Sequence, residues 1–391
     1  MNRPVPGGEQ RGESRLDRRA VLRATVTPLA SIFGSGFLII VPVLERTLGA
    51  LAVVGTVAIC ALAWVIGTAI RHIVSEVEPR IADGSIDRTT QGIDRLADAV
   101  IVAAYVISVA LYLRIMAEYI VGYLAEGSDF AERLIASAGV ALIAAVGVTR
   151  GFRGLDLMER LALGGVLVLT TVLGGAFFIA DAGDLLGVGI ELPPVPSKDL
   201  AEVLLVLGGI VITVQGFETV RYIGDEFDAR TRIWASRVAQ LIATSIYIGF
   251  VAVATPLMGI GTDAGTDKTL IEITERVLPL LALPLVISAI LSQFSAATAD
   301  TVAAAGNLNG LFDRWMTSTR AYLLSGIAAI ILAWTVDTLL IIAIASRAFA
   351  AYYCLQALIA MRTSTGLARR AGYGVLALVL AAITLLAQPA G

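Results

Sequence analysis

The stretch LASIFGSGFLIIVPVLE, residues 29–45, is apolar enough to cross a lipid bilayer but carries Gly34, Ser35 and Gly36 near its centre. Glycine in a helix interior costs about 1 kcal/mol relative to alanine, so two glycines within one turn weaken the helix there. Irregular backbone inside a membrane is tolerated only where protein or a cavity satisfies its polar groups. We therefore expect the first span, residues 24–45, to be broken at mid-membrane.

The composition indicates a membrane protein that crosses the bilayer many times. The chain has 391 residues, of which 57% are hydrophobic. Apolar runs of about 20 residues, the length that spans a hydrocarbon core, recur along it. The net charge of −3 is spread over the loops, which is not typical of nucleic-acid-binding proteins. We expect an all-α polytopic membrane protein with no cofactor and no nucleic-acid partner, and no oligomeric state is predicted.

The apolar runs predict eleven spans, at residues 24–45, 49–71, 95–124, 131–149, 158–181, 200–224, 233–258, 275–305, 319–335, 338–361 and 371–388. Cytoplasmic loops of membrane proteins hold most of the lysines and arginines. The N-terminal tail and the even-numbered loops hold 22 of these cations, and the opposite loops hold five. The sequence therefore predicts a protein of the plasma (inner) membrane with a cytoplasmic tail, residues 1–23, and a C-terminus outside.

Span six repeats the feature seen in span one, because it is interrupted by glycine at Gln215-Gly216. Five crossings separate the two spans, so the second copy runs in the opposite direction to the first. Paired interruptions in corresponding halves are typical of transporters built from inverted repeats. We therefore expect a five-plus-five inverted-repeat fold, with residues 24–181 and 200–361 as the repeats and residues 371–388 as an additional helix.

The two breaks form the candidate substrate site. The N-terminal end of a half-helix suits a carboxylate, and carbonyl oxygens at the C-terminal end of another suit an ammonium group, so the pair suits a zwitterion. The alternative is that the glycines only let helices pack closely. The candidate substrate-binding residues are Ser31, Gly34, Ser35, Gly36, Thr213, Gln215, Gly216 and Phe217.

Three segments carry a family resemblance. FGSGFLIIVP resembles the broken first span of the amino acid-polyamine-organocation (APC) superfamily of secondary transporters, VQGFETVRYIGDEF is similar to its sixth span, and AIRHIVSEVEPR resembles its segment after span two. The resemblance covers residues 24–361 and implies the five-plus-five fold, alternating access and binding at the breaks. The chain departs from the family where Asp225-Glu226 leads into Phe227 instead of Asn-Pro, and where span five lacks the lysine of proton-coupled relatives.

Two acids inside spans are candidates for coupling or gating, since a charge at mid-membrane needs a partner or a function. Glu218 lies two residues after Gly216, and the alternative to a coupling role is an ion pair with Arg221 one turn away. Asp300 is either a second proton carrier or the partner of an arginine.

Three more charged residues lie within spans. Arg114 and Glu118 are four residues apart, a spacing that favours a structural pair on one helix face. Arg347 has no local partner in the sequence and could face Glu218 or a substrate carboxylate.

Span eight presents hydroxyl groups at Ser288, Ser292, Ser295 and Thr298, a spacing that places them on one helix face. Such a stripe either binds sodium or packs helices together. In the resembled fold a cation site lies between the break of span one and span eight. The candidate sodium ligands are therefore Gly34, Ser292, Ser295 and Thr298.

These features predict a secondary active transporter that moves an amino acid or related amine by alternating access, driven by protons or sodium. Arg114, Arg221 and Arg347 leave open a carrier of organic carboxylate anions. A channel is a further alternative, because broken helices also line pores. Enzyme activity is not expected, because the sequence contains neither His-Glu-x-x-His nor Gly-x-Gly-Asp within a span.

Overall fold

The computed structural model describes residues 17–124, 128–187, 192–224, 226–258, 269–312 and 316–387, and the regular structure within these ranges is helical. The α-helices are α1 (Arg18–Leu48), α2 (Ala52–His72), α3 (Glu78–Ala82), α4 (Arg88–Leu124), α5 (Asp129–Gly187), α6 (Leu200–Gly209), α7 (Ala229–Ala254), α8 (Thr269–Val277), α9 (Ala282–Leu311), α10 (Ser318–Thr335), α11 (Thr338–Thr363) and α12 (Leu367–Leu386). The all-α prediction is confirmed.

Nine helices among the described residues are long and apolar enough to cross a membrane, so the predicted count of eleven spans is not confirmed. α5 contains predicted spans four and five. Gly151, with φ 58, kinks this helix and divides it into two spans, Asp129–Gly151 and Gly154–Gly183. α6 covers only ten residues of predicted span six. Predicted span eight begins later than expected, because a separate helix, α8, ends before Pro279 and α9 starts at Ala282.

The predicted break in span one is wrong, because α1 is one α-helix of 31 residues that continues through the glycines. The glycines instead let neighbours approach closely. A Cβ on Gly34 would collide with the Ala296 Cβ of α9 and lie 2.7 Å from the Ser292 carbonyl, and a Cβ on Gly36 would collide with Thr213. Small residues at membrane helix contacts commonly serve this purpose. The carboxylate-binding half-helix expected in span one is therefore absent from the structure.

Span six is broken, as the sequence predicts. α6 ends at Gly209, a 3₁₀ turn covers Val211–Val214, and a second 3₁₀ segment covers Phe217–Ile223. Gln215 and Gly216 between the two segments are not helical. The change of geometry coincides with two glycines followed by a β-branched run, which is a poor helix former.

The helices pack as one bundle around the broken span. α4 lies at the centre against α9, α11, α5 and α10, and α1 packs on α7, α9 and both 3₁₀ segments. α12 packs on α11 and exposes large apolar side chains. The part of α5 over Gly154–Gly183 also exposes large apolar side chains, and both surfaces suit contact with lipid. The broken span is consequently enclosed by α1, α4, α7, α9 and α11.

Candidate functional site

Hydroxyl groups bind backbone carbonyls at the interruption of span six. The Gly209 carbonyl at the end of α6 accepts a hydrogen bond from the Ser346 hydroxyl of α11. The Thr213 hydroxyl donates to the Ile210 carbonyl over 2.7 Å. An unsatisfied backbone group inside a bilayer costs several kcal/mol, so these contacts make the irregular segment tolerable at this depth.

Gly216 holds a backbone conformation that favours glycine, with φ 126. A Cβ at this position would lie 2.6 Å from the Ile32 nitrogen and 2.7 Å from the Ser31 hydroxyl of α1. The Gly216 carbonyl accepts a hydrogen bond of 2.7 Å from the Thr219 hydroxyl, and the Gly216 N–H donates to Glu218 Oε2 over 2.9 Å. The break thus lies directly against α1, and the Glu218 carboxylate binds a backbone N–H of the break itself.

The Glu218 carboxylate is fully buried and is bound from two helices. The Tyr353 hydroxyl of α11 donates to Oε2 over 2.7 Å, and the Tyr105 hydroxyl of α4 donates to Oε1 over 3.4 Å. The Phe217 ring stacks on the Tyr353 ring with centroids 5.5 Å apart. The carboxylate is therefore surrounded by hydroxyl donors and aromatic faces.

Asp300 is the second fully buried carboxylate, and it comes from α9. The Ser31 hydroxyl of α1 donates to Oδ1 over 3.0 Å, and the Ser108 hydroxyl of α4 donates to Oδ2. Because Ser31 also contacts Gly216, one side chain of α1 joins Asp300 to the break.

One turn of α4 connects the two acids, because Tyr105 binds Glu218 and Ser108 binds Asp300. Residues three apart lie on the same helix face. In the part of the chain that the structure describes, no arginine, lysine or histidine lies within 4.0 Å of either carboxylate. A charge at this depth requires a proton or another cation beside it.

Two further contacts tie the break to its neighbours. The Gln215 amide donates to the Tyr112 hydroxyl of α4 over 2.6 Å. The Tyr247 hydroxyl of α7 lies 2.8 Å from the Ile32 carbonyl and 3.0 Å from the Thr213 carbonyl, so it bridges α1 and the first 3₁₀ turn. The predicted residues of span six are therefore gathered in one place. Ser35 lies on the same stretch of α1, but its side chain is outside the described residues.

The alternative ion pair between Glu218 and Arg221 is wrong. Arg221 instead contacts Asp94 over 3.1 Å, Glu78 over 3.5 Å and Asp98 over 3.8 Å. The two side chains have other partners, because Glu218 binds the Gly216 N–H and the Tyr353 hydroxyl, whereas Arg221 binds acids of α3 and α4. A second arginine, from α7, also binds Glu78, so the end of the broken span is joined to α3, α4 and α7.

Arg114 lies at the opposite end of α4 from this ion-pair network. It pairs with Asp129 over 3.0 Å and with Glu132 over 3.8 Å at the start of α5. The Thr338 hydroxyl contacts both Arg114 and Glu118, so these two residues are joined through α11. These contacts place neither residue on Glu218 or Asp300, and the direct pair of Arg114 with Glu118 stays a prediction.

Arg347 does not pair with Glu218 among the described residues, and a contact of Arg347 with a substrate carboxylate stays a prediction. Its Nη2 and Nε donate to the Ala387 carbonyl over 2.7 and 3.1 Å, at the C-terminal end of α12. A cation at the C-terminal end of a helix is favourable because the last carbonyls lack partners there. The role of Arg347 is therefore to attach α12 to the bundle.

The hydroxyl stripe of span eight is buried, and three of its four hydroxyls bind helix carbonyls, while the Ser288 hydroxyl has no hydrogen-bond partner among the described residues. Ser292 donates to the Ala289 carbonyl over 3.2 Å and Thr298 to the Phe294 carbonyl over 2.8 Å, both within α9. Ser295 donates across to the main chain of α5 over 3.4 Å. The stripe packs against α1 and α5, and its use as a sodium site stays a prediction.

The α4 face of the site, formed by Tyr105, Ser108 and Tyr112, was not predicted from the sequence. Their spacing of three and four residues is that of one helix face inside an apolar span, a signal that could have identified them. Glu159 of α5 was not predicted either; it is 3% exposed and its Oε1 has no hydrogen-bond partner among the described residues. Tyr353 gave no such signal, since its contact depends on how α11 packs.

Comparison with known proteins identifies relatives over almost the whole chain. A family model described as APC superfamily transporter matches residues 14–387. An uncharacterized protein of Aquifex aeolicus is 33% identical over 353 residues, which cover 89% of this chain and 86% of that protein. The manganese transporter of Eremococcus coleocola, solved with an aromatic bis-isothiourea substituted compound, has a TM-score of 0.62 at 10% identity, over 97% of this chain and 88% of that one. The structural likeness shows a shared fold. The family match confirms the resemblance seen in the sequence: the chain belongs to the APC superfamily of transporters.

Proposed function

We propose that the protein is a secondary active transporter that moves an amino acid or related amine across the plasma membrane by alternating access, coupled to protons. One observation carries the proposal. Two carboxylates, Glu218 and Asp300, lie fully buried at the break of span six, and in the described part of the chain their donors are hydroxyl and amide groups without a positive charge. Such a pair accepts protons and cationic groups.

The charges around the site favour an amine over an organic anion. Arg114, Arg221 and Arg347, which suggested an anion carrier, each bind acids or a carbonyl away from the break. In this proposal the ammonium group of the solute replaces hydroxyl donors on the two carboxylates. Ser31, Gly216 and Phe217 contact it there.

Closure at both ends of the bundle supports alternating access. Asp94, which belongs to the Arg221 network, Ser108 at the site and Arg114 all lie along α4. At a rise of 1.5 Å per residue, Asp94 is about 21 Å from Ser108, and Arg114 is about 9 Å from Ser108 in the opposite direction. Both networks join helices that must separate for the site to open. Breaking one network while keeping the other exposes the site to one side of the membrane.

The proposal includes the two inverted repeats, residues 24–181 and 200–361, and a cytoplasmic N-terminus. The corresponding spans one and six do lie against each other through Ser31 and Gly216. They differ in form, since only span six is broken.

A divalent metal is a second substrate class to consider, because the similar structure is a manganese transporter. Among the described residues no three His, Cys, Asp or Glu side chains are grouped as metal ligands. The oxygens of Glu218 and Asp300 are also contacted by separate donors from α1, α4 and α11. These observations favour the amine.

The test is uptake by purified protein in liposomes, with a panel of labelled amino acids, amines, carboxylates and Mn²⁺. A pH gradient or a sodium gradient is imposed separately. The proposal predicts accumulation of an amine-bearing solute driven by the pH gradient without sodium. Accumulation that requires sodium, or uptake restricted to carboxylates or Mn²⁺, would contradict it.

A further inference from the structure

A basic pocket lies between the end of α2 and the start of α7, away from the transport site. It has a volume of about 480 Å³ and is lined mainly by Trp64, Thr68, Arg71, His72, Ser75 and Arg237. The transport proposal uses none of these residues.

The two arginines of the pocket lack an acidic partner. Arg71 donates to Gln240 over 2.6 Å, to Ser236 over 3.3 Å and to the Trp64 carbonyl over 3.3 Å, which occupies three of its five N–H groups. Among the described residues neither Arg71 nor Arg237 forms an ion pair. Arg114 and Arg221 elsewhere in the bundle are paired with acids, whereas the described residues supply no acidic partner for the two arginines of this pocket.

Aromatic rings position the two cations. The Arg71 guanidinium lies over the Trp64 ring, 4.9 Å from its centroid, and Arg237 lies over the Trp234 ring at 5.2 Å. A guanidinium held over an aromatic ring has less freedom to move, which suits the bidentate binding of phosphate.

The pocket lies at the level where the apolar surface ends. On one side of it α2 exposes Val57 and Val65 and α7 exposes Leu241. On the other side the chain exposes Ser75, Glu76 and Arg80. Tryptophan and arginine at such a boundary are typical of the membrane–water interface.

We propose that this pocket binds the head group of an anionic phospholipid, with Arg71 and Arg237 on its phosphate and the acyl chains along the exposed apolar side chains of α2 and α7. Basic pockets between membrane helices are suited to such head groups. A lipid fits better than free phosphate, because the cationic pocket and the apolar surface adjoin. The site joins α2 to α7, and its occupancy does not depend on which solute is transported.

The experiment compares phosphatidylglycerol with phosphatidylcholine. Purified protein in nanodiscs of each lipid is measured for its melting temperature, and native mass spectrometry counts retained phosphatidylglycerol. The proposal predicts a higher melting temperature and a retained lipid in phosphatidylglycerol, with Arg237→Gln weakening retention roughly fivefold, the effect of about 1 kcal/mol per cation. Arg237→Lys, which keeps the charge, retains more lipid than Arg237→Gln.

The matched control is Arg95→Gln, because Arg95 is exposed on α4 and does not line the pocket. This variant should retain lipid like the unaltered protein. Retention of phosphatidylglycerol by Arg237→Gln equal to that of the unaltered protein would overturn the proposal. So would an equal rise in melting temperature when inorganic phosphate is added in phosphatidylcholine, since that result would assign the pocket to free phosphate. Should Arg237→Gln fail to fold, Arg71→Gln tests the same point by removing the other charge, with weakened retention expected and unchanged retention against it.

Discussion

The carboxylates of Glu218 and Asp300 are each held by a hydroxyl from α4 and by one from a second helix. Hydroxyls can reorient between donating and accepting, so they serve a carboxylate in either protonation state. A fixed arginine would serve only the ionised state. This difference is the residue-level reason for assigning proton coupling to these acids.

Replacing Glu218 with glutamine removes the proton-carrying group while keeping its size. A pH difference of one unit supplies about 1.4 kcal/mol for each proton that crosses, which balances a tenfold concentration gradient. With one proton per solute and no membrane potential, the unaltered protein therefore accumulates a solute of no net charge about tenfold per pH unit. We expect the Glu218→Gln variant to equilibrate its solute without accumulation. Labelled uptake in liposomes across imposed pH gradients measures the ratio, and an unchanged ratio would exclude Glu218 from coupling.

Asp87 supplies the control for this experiment, because it lies outside the spans just before α4. Hydrogen bonds from Thr90 and Arg362 lower the pKa of Asp87 to about 2. The pKa of Asp87 is lower in the folded protein than in the unfolded chain, where it is about 3.9. Asp87 therefore stabilises the fold at pH values above about 3.9, and this contribution is lost as the pH falls through about 2. Asp87→Asn should therefore leave the dependence of uptake on pH between 5 and 8 unchanged.

At the scale of elements, the contact between α1 and α9 depends on the absence of a side chain at Gly34. A Cβ there would collide with the Ala296 Cβ. We expect Gly34→Ala to destabilise the protein by about 1–3 kcal/mol through overpacking. Ala296→Gly in the same chain should restore part of the stability, because it removes the Ala296 Cβ but leaves the Ser292 carbonyl in place. Thermal unfolding in detergent measures both effects.

Gly175→Ala is the matched control, since no heavy atom lies within 4 Å of a Cβ at that position of α5. It should be neutral or stabilising by up to about 1 kcal/mol. Equal stability of Gly34→Ala and the unaltered protein would contradict the packing role of Gly34.

The ion-pair network at the end of the broken span joins that element to α3 and α4 through Arg221. Removing one partner of a buried ion pair costs about 3–5 kcal/mol, so Arg221→Gln should loosen this end of the bundle. Hydrogen exchange measured by mass spectrometry should increase in residues 217–223. Arg160→Gln, which breaks an exposed pair with Asp156, should cost within about 1 kcal/mol and change nothing there. Equal exchange in the two variants would contradict the gating role.

At the scale of the whole molecule, the sequence predicted an all-helical membrane protein correctly, because apolar runs long enough to span a bilayer recur along it. The count of eleven spans is not confirmed. The sequence predicted the break of span six but not the continuity of span one, since glycine permits both an irregular backbone and close packing. The hydrogen-bond partners of Glu218 and Asp300 could not be predicted from the sequence. Tyr353 and Ser31 meet them only through the packing of α11 and α1, which no local pattern encodes.

The predicted orientation is also a property of the whole chain. The excess of arginines on one side predicts a cytoplasmic N-terminus, and an odd number of spans places the C-terminus outside. Reporter enzymes fused to either terminus measure this directly. A reporter at the C-terminus that is active in the cytoplasm would contradict the count of eleven.

The central claim is that the two buried carboxylates exchange a proton whenever a solute passes. Its most direct test is a pH-sensitive dye inside liposomes, with the solute added outside at equal starting pH and zero membrane potential. The account predicts that solute addition acidifies the lumen of vesicles containing the unaltered protein and leaves the pH unchanged with Glu218→Gln or Asp300→Asn. Solute uptake by the unaltered protein without any change in luminal pH would contradict it.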